Sequence, residues 1–433
     1  MTSCLRERLA VGSCAVLGLA ISTGYPMGMI VAAAMPYVCL MTTTKKGGFR
    51  AGFAYYLAAL WPMFAGLRRY LGSSSTALTP LAVWILGAIA LSIPWALAAT
   101  PDRAQYLWRV PLAVAATVLP PLGIIGLASP LSGAGYLFPG TGWLGLATVA
   151  LLPAILLAAE ALAIRKRLVV SCCTIAFCAG LAIAPRLLGS SDREPPRGWV
   201  AVNTYFGDIS EPLRDFTAAQ FIEETAAKTP ARVLIFPEAV VPRWSEATET
   251  FWQESLDRCR NQGQILVFGA GVPRPGQDNS AKLSDLQRYD FGAALSALKS
   301  MDTRTVTLPV LGLPGPEPTD NALLLLGAES GTFYQRVPVP IGMWKPFSRD
   351  SVPLRINAPG VLNVDHQRAA ILICYEQMLT FPVLASMLQH PTVLVGTSNT
   401  FWVTGTNIPR YQANAVRGWA KLFRLPYLLA VNS

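Results

Sequence analysis

The sequence predicts a multi-helix transmembrane bundle followed by an α/β layered domain, and three observations carry that prediction. Charged residues are 14% of the 433 positions, hydrophobic residues are 52%, and the mean hydropathy is +0.40; an ordinary soluble chain has roughly 25% charged residues. The deficit is uneven, because residues 9–184 are mostly apolar with small clusters of Arg and Lys, whereas the chain from Arg186 onward has a globular composition. In that second part strand-like and helix-like stretches alternate, as in α/β folds. We therefore divide the chain into residues 1–185, the bundle, and residues 186–433, a domain long enough to bury a full core.

A hydrocarbon core about 30 Å thick needs ~20 apolar residues per helix. Residues 9–41 provide two short crossings, broken at Ser22-Thr23-Gly24-Tyr25-Pro26; residues 51–67, 80–99, 110–128, 143–164 and 168–184 bring the expected number to seven. Lys and Arg in short loops set orientation. Arg6, Arg8, Lys45, Lys46, Arg50, Arg103, Arg109, Arg165, Lys166 and Arg167 fall on one side, read as cytoplasmic, and the uncharged loop 129–142 on the other. Arg68 and Arg69 disagree with this arrangement. The balance puts residues 186–433 outside the cytoplasm. Glu160 is a lone acid near a helix end, which disfavours a transporter.

The net charge of +10 is then topogenic, and the soluble part has no dense basic run with interleaved aromatics, so no nucleic-acid partner is expected. The eight Cys and two His show no zinc-like spacing, and neither metal nor cofactor is expected. A Cys259–Cys374 disulfide stays open. His366 and His390 read as loop or surface residues.

In the soluble part, strands are expected at residues 199–206, 232–236, 264–270, 321–326, 370–373, 392–396 and 427–431. Helices are expected at residues 212–228, 245–261, 382–389 and 411–421. Residues 273–320, rich in Gly, Pro and polar residues, read as an insertion, a surface lid or docking loop.

Two of the strands end in reactive groups. Ala370-Ile371-Leu372-Ile373 delivers Cys374, followed by Tyr375 and Glu376; Val233-Leu234-Ile235-Phe236 delivers Pro237 and Glu238. A thiol and a carboxyl brought to one cleft make a nucleophile and its base. Each residue also has a plainer role. Cys374 can be a packed core thiol, Glu238 a helix cap, and Glu376 a structural hydrogen-bond acceptor.

Phe236-Pro237-Glu238, Ile373-Cys374-Tyr375-Glu376 and Ser398-Asn399 with Trp402 close behind resemble the nitrilase (carbon–nitrogen hydrolase) superfamily. Following a helical first half, they resemble apolipoprotein N-acyltransferase and a shortened, conjugation-linked branch of the same group. The resemblance implies an α-β-β-α sandwich in a multi-pass protein of the bacterial inner membrane, with that domain periplasmic. It implies a Glu–Lys–Cys triad acting on a lipid or a membrane-tethered polypeptide, by acyl transfer or amide cleavage, in partnership with conjugative transfer machinery. Glu238 matches the Glu and Cys374 the nucleophile, and Glu376 matches a second acid beside it. The Lys has no clean match. The family pattern Tyr-x-Lys-x-His-Leu-Val-Pro-Phe-Gly-Glu places Arg336 there when aligned on Tyr334, and Gln335 when aligned on Val339-Pro340; Lys345 is the nearest lysine. Arg336 could stabilise an oxyanion but not shuttle a proton; its plainer role is an ion-pair partner. Met343 stands for the closing acid, Thr400 for an expected Asp, and the sequence ends at Asn432-Ser433 where the family continues. These departures keep a second expectation alive, a catalytically decayed scaffold of the transfer apparatus.

Overall fold

The computed structural model describes residues 3–71, 77–187, 193–207, 214–244, 246–274, 319–346, 348 and 351–433. Its first half is helical: α1 (Ser3–Ser22), α2 (Pro26–Ala32), α3 (Met35–Leu40), α4 (Lys45–Ala59), α5 (Trp61–Tyr70), α6 (Leu78–Ala98), α7 (Tyr106–Val118), α8 (Ala134–Leu137), α9 (Trp143–Ala159) and α10 (Ile164–Leu187).

Among the described residues, two helices are long and apolar enough to cross a membrane, Leu78–Ala98 and Ile164–Ala184. Pro26–Leu40 and Trp143–Ala159 are apolar but shorter. The expected segments are therefore more broken than hydropathy suggests. Proline is one reason, since it lacks an N–H and favours the first helical turn. Pro26, Pro36 and Pro62 open α2, α3 and α5, and the last splits the expected segment 51–67 in two.

The helices run between two ends. α1 and α4 are parallel: Arg50 pairs with Glu7 at one end (2.7 Å), and Trp61 Nε1 donates to Ser22 Oγ at the other (3.2 Å). α6 returns, with Trp84 Nε1 donating to Leu57 O (2.9 Å). The Arg50 end also holds the Arg103–Glu160 pair (3.0 Å), to which Tyr37 donates (3.3 Å). The opposite end holds the last turn of α5, the first turns of α6 and α9, and the stretch 119–142, and it meets the second half of the chain.

That half contains β1 (Trp199–Ala201), α11 (Arg214–Lys228), β2 (Val233–Ile235), α12 (Glu246–Phe251), α13 (Gln253–Gln262), β3 (Ile265–Pro273), β4 (Thr319–Gly327), β5 (Gly331–Tyr334), β6 (Val361–Val364), β7 (Gln367–Ile373), α14 (Thr380–Met387), β8 (Val393–Asn399), α15 (Ile408–Phe423) and β9 (Tyr427–Asn432). One sheet has the order β1-β2-β3-β4-β5, the other β6-β7-β8-β9. β1, β2 and β3 are parallel, as are β7, β8 and β9. The sheets pack face to face. Val233, Ile235 and Val267 from one meet Ile371, Ile373 and Val395 from the other. Outside the first sheet lie α11 and α13, with Ile222 and Leu256 against Leu234 and Leu266. Ala370, Leu372 and Leu394 face outward from the second sheet, onto α14, α15 and the helical half in one continuous core. Burial on both faces explains why the strand before Cys374 reads as an unbroken apolar run.

Several boundaries move. The strand expected at 199–206 stops at Ala201. The expected helix 245–261 divides into α12 and α13 around Trp252. The hairpin β6–β7 was not expected; it turns on Asp365 and His366, both at positive φ (45° and 61°), the geometry of a two-residue hairpin turn without its usual Gly. Pro273, Thr319 and Asp320, assigned to the insertion, belong to paired strands; residues 275–318, where the lid was expected, lie outside the described residues.

Candidate functional site

Glu238 and Cys374 come together. Glu238 leaves β2 through Pro237 and lies across β3 at Gly269, where an added Cβ would sit 2.4 Å from Glu238 Cα and 2.2 Å from Ala239 N. Only glycine permits that crossing, so Gly269 fixes where the carboxyl projects. Cys374 ends β7 at φ +49° and opens a 3-10 turn, Cys374–Met378. A non-glycine residue in the left-handed region is strained, and here the strain lifts the thiol out of its strand. The carboxyl and thiol are direct neighbours that act on each other electrostatically, at 4% and 3% exposure. Asn399, ending β8, donates its backbone N–H to Glu238 Oε2 (2.9 Å).

Burial pushes the Glu238 carboxyl above the usual carboxylate range, opposed by the neighbouring Cys374 and by hydrogen bonds from Asn399 and Asn321. Burial, and then the Glu238 charge, push the Cys374 thiol well above its ordinary value. The thiol therefore keeps its proton at rest, and the Glu238 carboxylate is the neighbouring base. A thiol reacts as the thiolate, and Glu238 is the carboxyl placed to receive its proton.

The two candidate positions for the missing lysine separate in space. Gln335 and Arg336 directly follow β5, where the chain bends, and their side chains go to different partners. Gln335 turns to the site: its Oε1 accepts from Asn321 Nδ2 (3.0 Å), which also donates to Glu238 Oε1 (2.5 Å), and its Nε2 donates to Ile373 O (3.3 Å). Arg336 turns away. Its guanidinium donates to Pro382 O, Ser386 Oγ and Ile371 O (3.1 Å each) and pairs with Glu376 (3.4 Å). Glu376 in turn accepts from the backbone N–H groups of Arg336 (2.6 Å), Val337 (3.0 Å) and Ile373 (3.2 Å). Arg336 is therefore not available to the Glu238–Cys374 pair, because its charge is committed to Glu376 at 1% exposure, and the amide on the side of that pair is the neutral Gln335. Lys345 is exposed and does not fill the gap.

Three surrounding residues were not read from the sequence as site residues. Asn321 bridges Glu238 and Gln335. Gln412, on α15, donates to Cys374 O (3.0 Å), with Sγ at 3.9 Å. Tyr70, ending α5, packs on Trp402 (5.5 Å between rings) within electrostatic reach of Glu238 and Cys374. None has a local signal, because each meets its partner only through the fold. Tyr375 donates to Ile124 O (3.0 Å), which ties the turn to the helical half. Thr400 instead binds the last strand, donating through N (2.7 Å) and Oγ1 (3.0 Å) to Asn432 O. Cys259 and Cys374 are both free thiols; Cys259 packs in the helix layer beyond the first sheet. Among the described residues, no group of three His, Cys, Asp or Glu could hold a metal ion.

Two sheets lie face to face between helices, with a thiol and a carboxyl meeting at their strand ends, so the second half of the chain is an α-β-β-α sandwich. The whole chain is similar to conjugal transfer proteins TraB. It is 27% identical over 444 residues to the probable conjugal transfer protein TraB of Sinorhizobium fredii, covering 99% of each chain. It is 28% identical over 352 residues to TraB of Agrobacterium fabrum, covering 77% of this chain and 69% of that one. No family model matches the sequence. Among solved structures, a mutant of the Nesterenkonia AN1 amidase from the nitrilase superfamily aligns with TM-score 0.31 and 14% identity over 55% of this chain and 78% of that one. The C. elegans NitFhit protein aligns with TM-score 0.33 and 11% identity over 54% and 50%.

Proposed function

We propose that the chain is a membrane-bound, nitrilase-type protein of conjugal plasmid transfer, whose Cys374 attacks the carbonyl of a lipid or a membrane-tethered polypeptide. The observation that carries this reading is the burial of Glu238 and Cys374 side by side, at 4% and 3% exposure. Glu238 takes the thiol proton as the S–C bond forms, and the carbonyl's π pair moves to oxygen. Collapse of that intermediate breaks the bond to the leaving group, which receives the proton from Glu238. Water or an amine then attacks the thioester and frees the thiol. With Gln335 in place of a cation, the oxyanion depends on neutral donors. Loss of one oxyanion donor costs about 10²–10³ in rate, so turnover should be slow.

Membrane attachment is supported by the outward apolar side chains of the helical half, among them Leu9, Val16, Leu86, Leu97, Leu112, Leu144, Ile175 and Phe177. A second reading, a decayed scaffold of the transfer apparatus, is favoured by the commitment of Arg336 to Glu376. Plasmid transfer separates the two. In cells lacking the chain, Cys374→Ala and Glu238→Gln should fail to restore transfer, and a thioester adduct should be found by mass spectrometry on wild type alone. Normal transfer by both variants would establish the scaffold.

A further inference from the structure

Gln412 is 2% exposed, and its amide is used on one side only. Nε2 donates to Cys374 O at 3.0 Å and lies 3.9 Å from Cys374 Sγ, which fixes the plane of the group. Oε1 is buried and has no hydrogen-bond partner among the described residues. Buried polar side-chain atoms are nearly always paired, because an unsatisfied acceptor forfeits its hydration. This one shares a planar amide with the nitrogen that lies 3.9 Å from the sulfur, so it is an unused buried acceptor held beside Cys374. The remaining side chains around the pair, Asn321 and Gln335, have their amide groups on Glu238, on each other and on Ile373.

We infer that Gln412 is the specificity-determining residue of the Cys374 site, and that its free carbonyl oxygen accepts an N–H from the bound molecule. The site then takes a compound bearing an amide N–H next to the carbonyl that Cys374 attacks, in preference to an ester or a fully substituted amide. The inference rests on the thiol reading above and deepens it by naming the substrate class. A site built to bond a substrate N–H discriminates against the analogue that lacks it, because the site's own buried group is then left unpaired.

The test uses the full-length chain in detergent with two alkylating probes, iodoacetamide and N,N-dimethyl iodoacetamide. Labelling at Cys374 is followed by peptide mass spectrometry and normalised to the exposed Cys4 of the same molecule, which cancels the probes' intrinsic reactivities. Wild type should favour iodoacetamide at Cys374 by roughly tenfold or more, the cost of one unsatisfied buried acceptor. Gln412→Met should bring that ratio close to one, and Gln412→Glu, which keeps an acceptor, should retain part of it. The buried Cys259 reports folding. Should it become labelled in Gln412→Met, the wild-type ratio and the Gln412→Glu variant decide. Equal normalised labelling by both probes in wild type would overturn the inference while leaving the thiol reading intact. If Cys374 resists both probes while Cys4 reacts, the thiol reading fails, and the inference fails with it.

Discussion

Gln335 and Arg336 are neighbours in sequence that the fold gives to different partners, and the consequences are electrostatic. Arg336 and Glu376 form an ion pair at 1% and 0% side-chain exposure. Removing one member of a buried pair strands the other charge, at a cost of about 3–5 kcal/mol. Arg336→Met should therefore lower unfolding stability by about that amount, read from chemical denaturation in detergent. Adding Glu376→Gln should recover most of it, because the remaining amide still accepts from the backbone. If the single variant unfolds like wild type, the pair is not structural. At the site, Glu238 and Cys374 are both raised, so each binds its proton more tightly folded than unfolded. Their contribution to stability is fully present at low pH and is lost as pH rises through the folded values. Alkylation of Cys374 should accordingly keep climbing past the ordinary thiol value of 9.0 without a plateau. Glu238→Gln removes a neighbouring negative charge and should move that profile to lower pH. An unchanged profile would separate the two groups. Glu238 and Cys374 were legible because each ends a recognisable apolar strand. The choice between Gln335 and Arg336 was not, since a one-residue change of register exchanges the two residues and the surrounding pattern supports both registers.

At the scale of elements, the stretch 119–142 decides how the two halves join. Its backbone meets α15 without intervening side chains: an added Cβ on Gly135 would lie 1.8 Å from Gly418 O. Gly140 and Gly142 donate their N–H groups to Lys421 O and Leu422 O (2.8 Å each), and Tyr136 donates to Asn414 O (2.7 Å). Since α15 also carries Gln412, which donates to Cys374 O, the seating of this stretch reaches Cys374. Gly135→Ala forces backbones apart and should destabilise the fold by about 1–3 kcal/mol, as overpacking does. Thermal unfolding in detergent should show a lowered midpoint, whereas an unchanged midpoint would mean that the contact is looser than described. Hydropathy marked 129–142 only as an uncharged loop between crossings. Its packing role was unreadable because close approach is encoded by small residues on two segments far apart in sequence, not by a local pattern. The β6–β7 hairpin was missed for a related reason: Asp365 and His366 adopt positive φ without the Gly that usually announces it.

At the scale of the whole molecule, charge and geometry point the same way. The end of the helical half bearing Arg50 and Arg103 lies away from the sandwich, while the last turns of α1 and α5, with Arg68 and Arg69, lie against it: Arg410 reaches Thr23 O (3.3 Å), and Arg69 approaches Gly405 (3.6 Å from an added Cβ). Those two arginines, which ran against the charge balance in the sequence, thus sit beside the second domain's surface. Positive residues concentrate on the cytoplasmic side of membrane proteins. On the proposed membrane reading, the Arg50 end therefore faces the cytoplasm and the Cys374 site opens on the opposite side of the bilayer, beside the apolar flanks of α5 and α6. A charged maleimide that does not cross the inner membrane distinguishes the two orientations in intact cells. A cysteine introduced at the exposed Glu254 of α13 should be labelled from outside, while the native Cys4, exposed at the start of α1, should react only after permeabilisation. Labelling of Cys4 first would invert the orientation and place the Cys374 site in the cytoplasm. Labelling of both without permeabilisation would mean that the helical half does not separate the two positions by a membrane, and the site would then act on soluble rather than bilayer-held carbonyls.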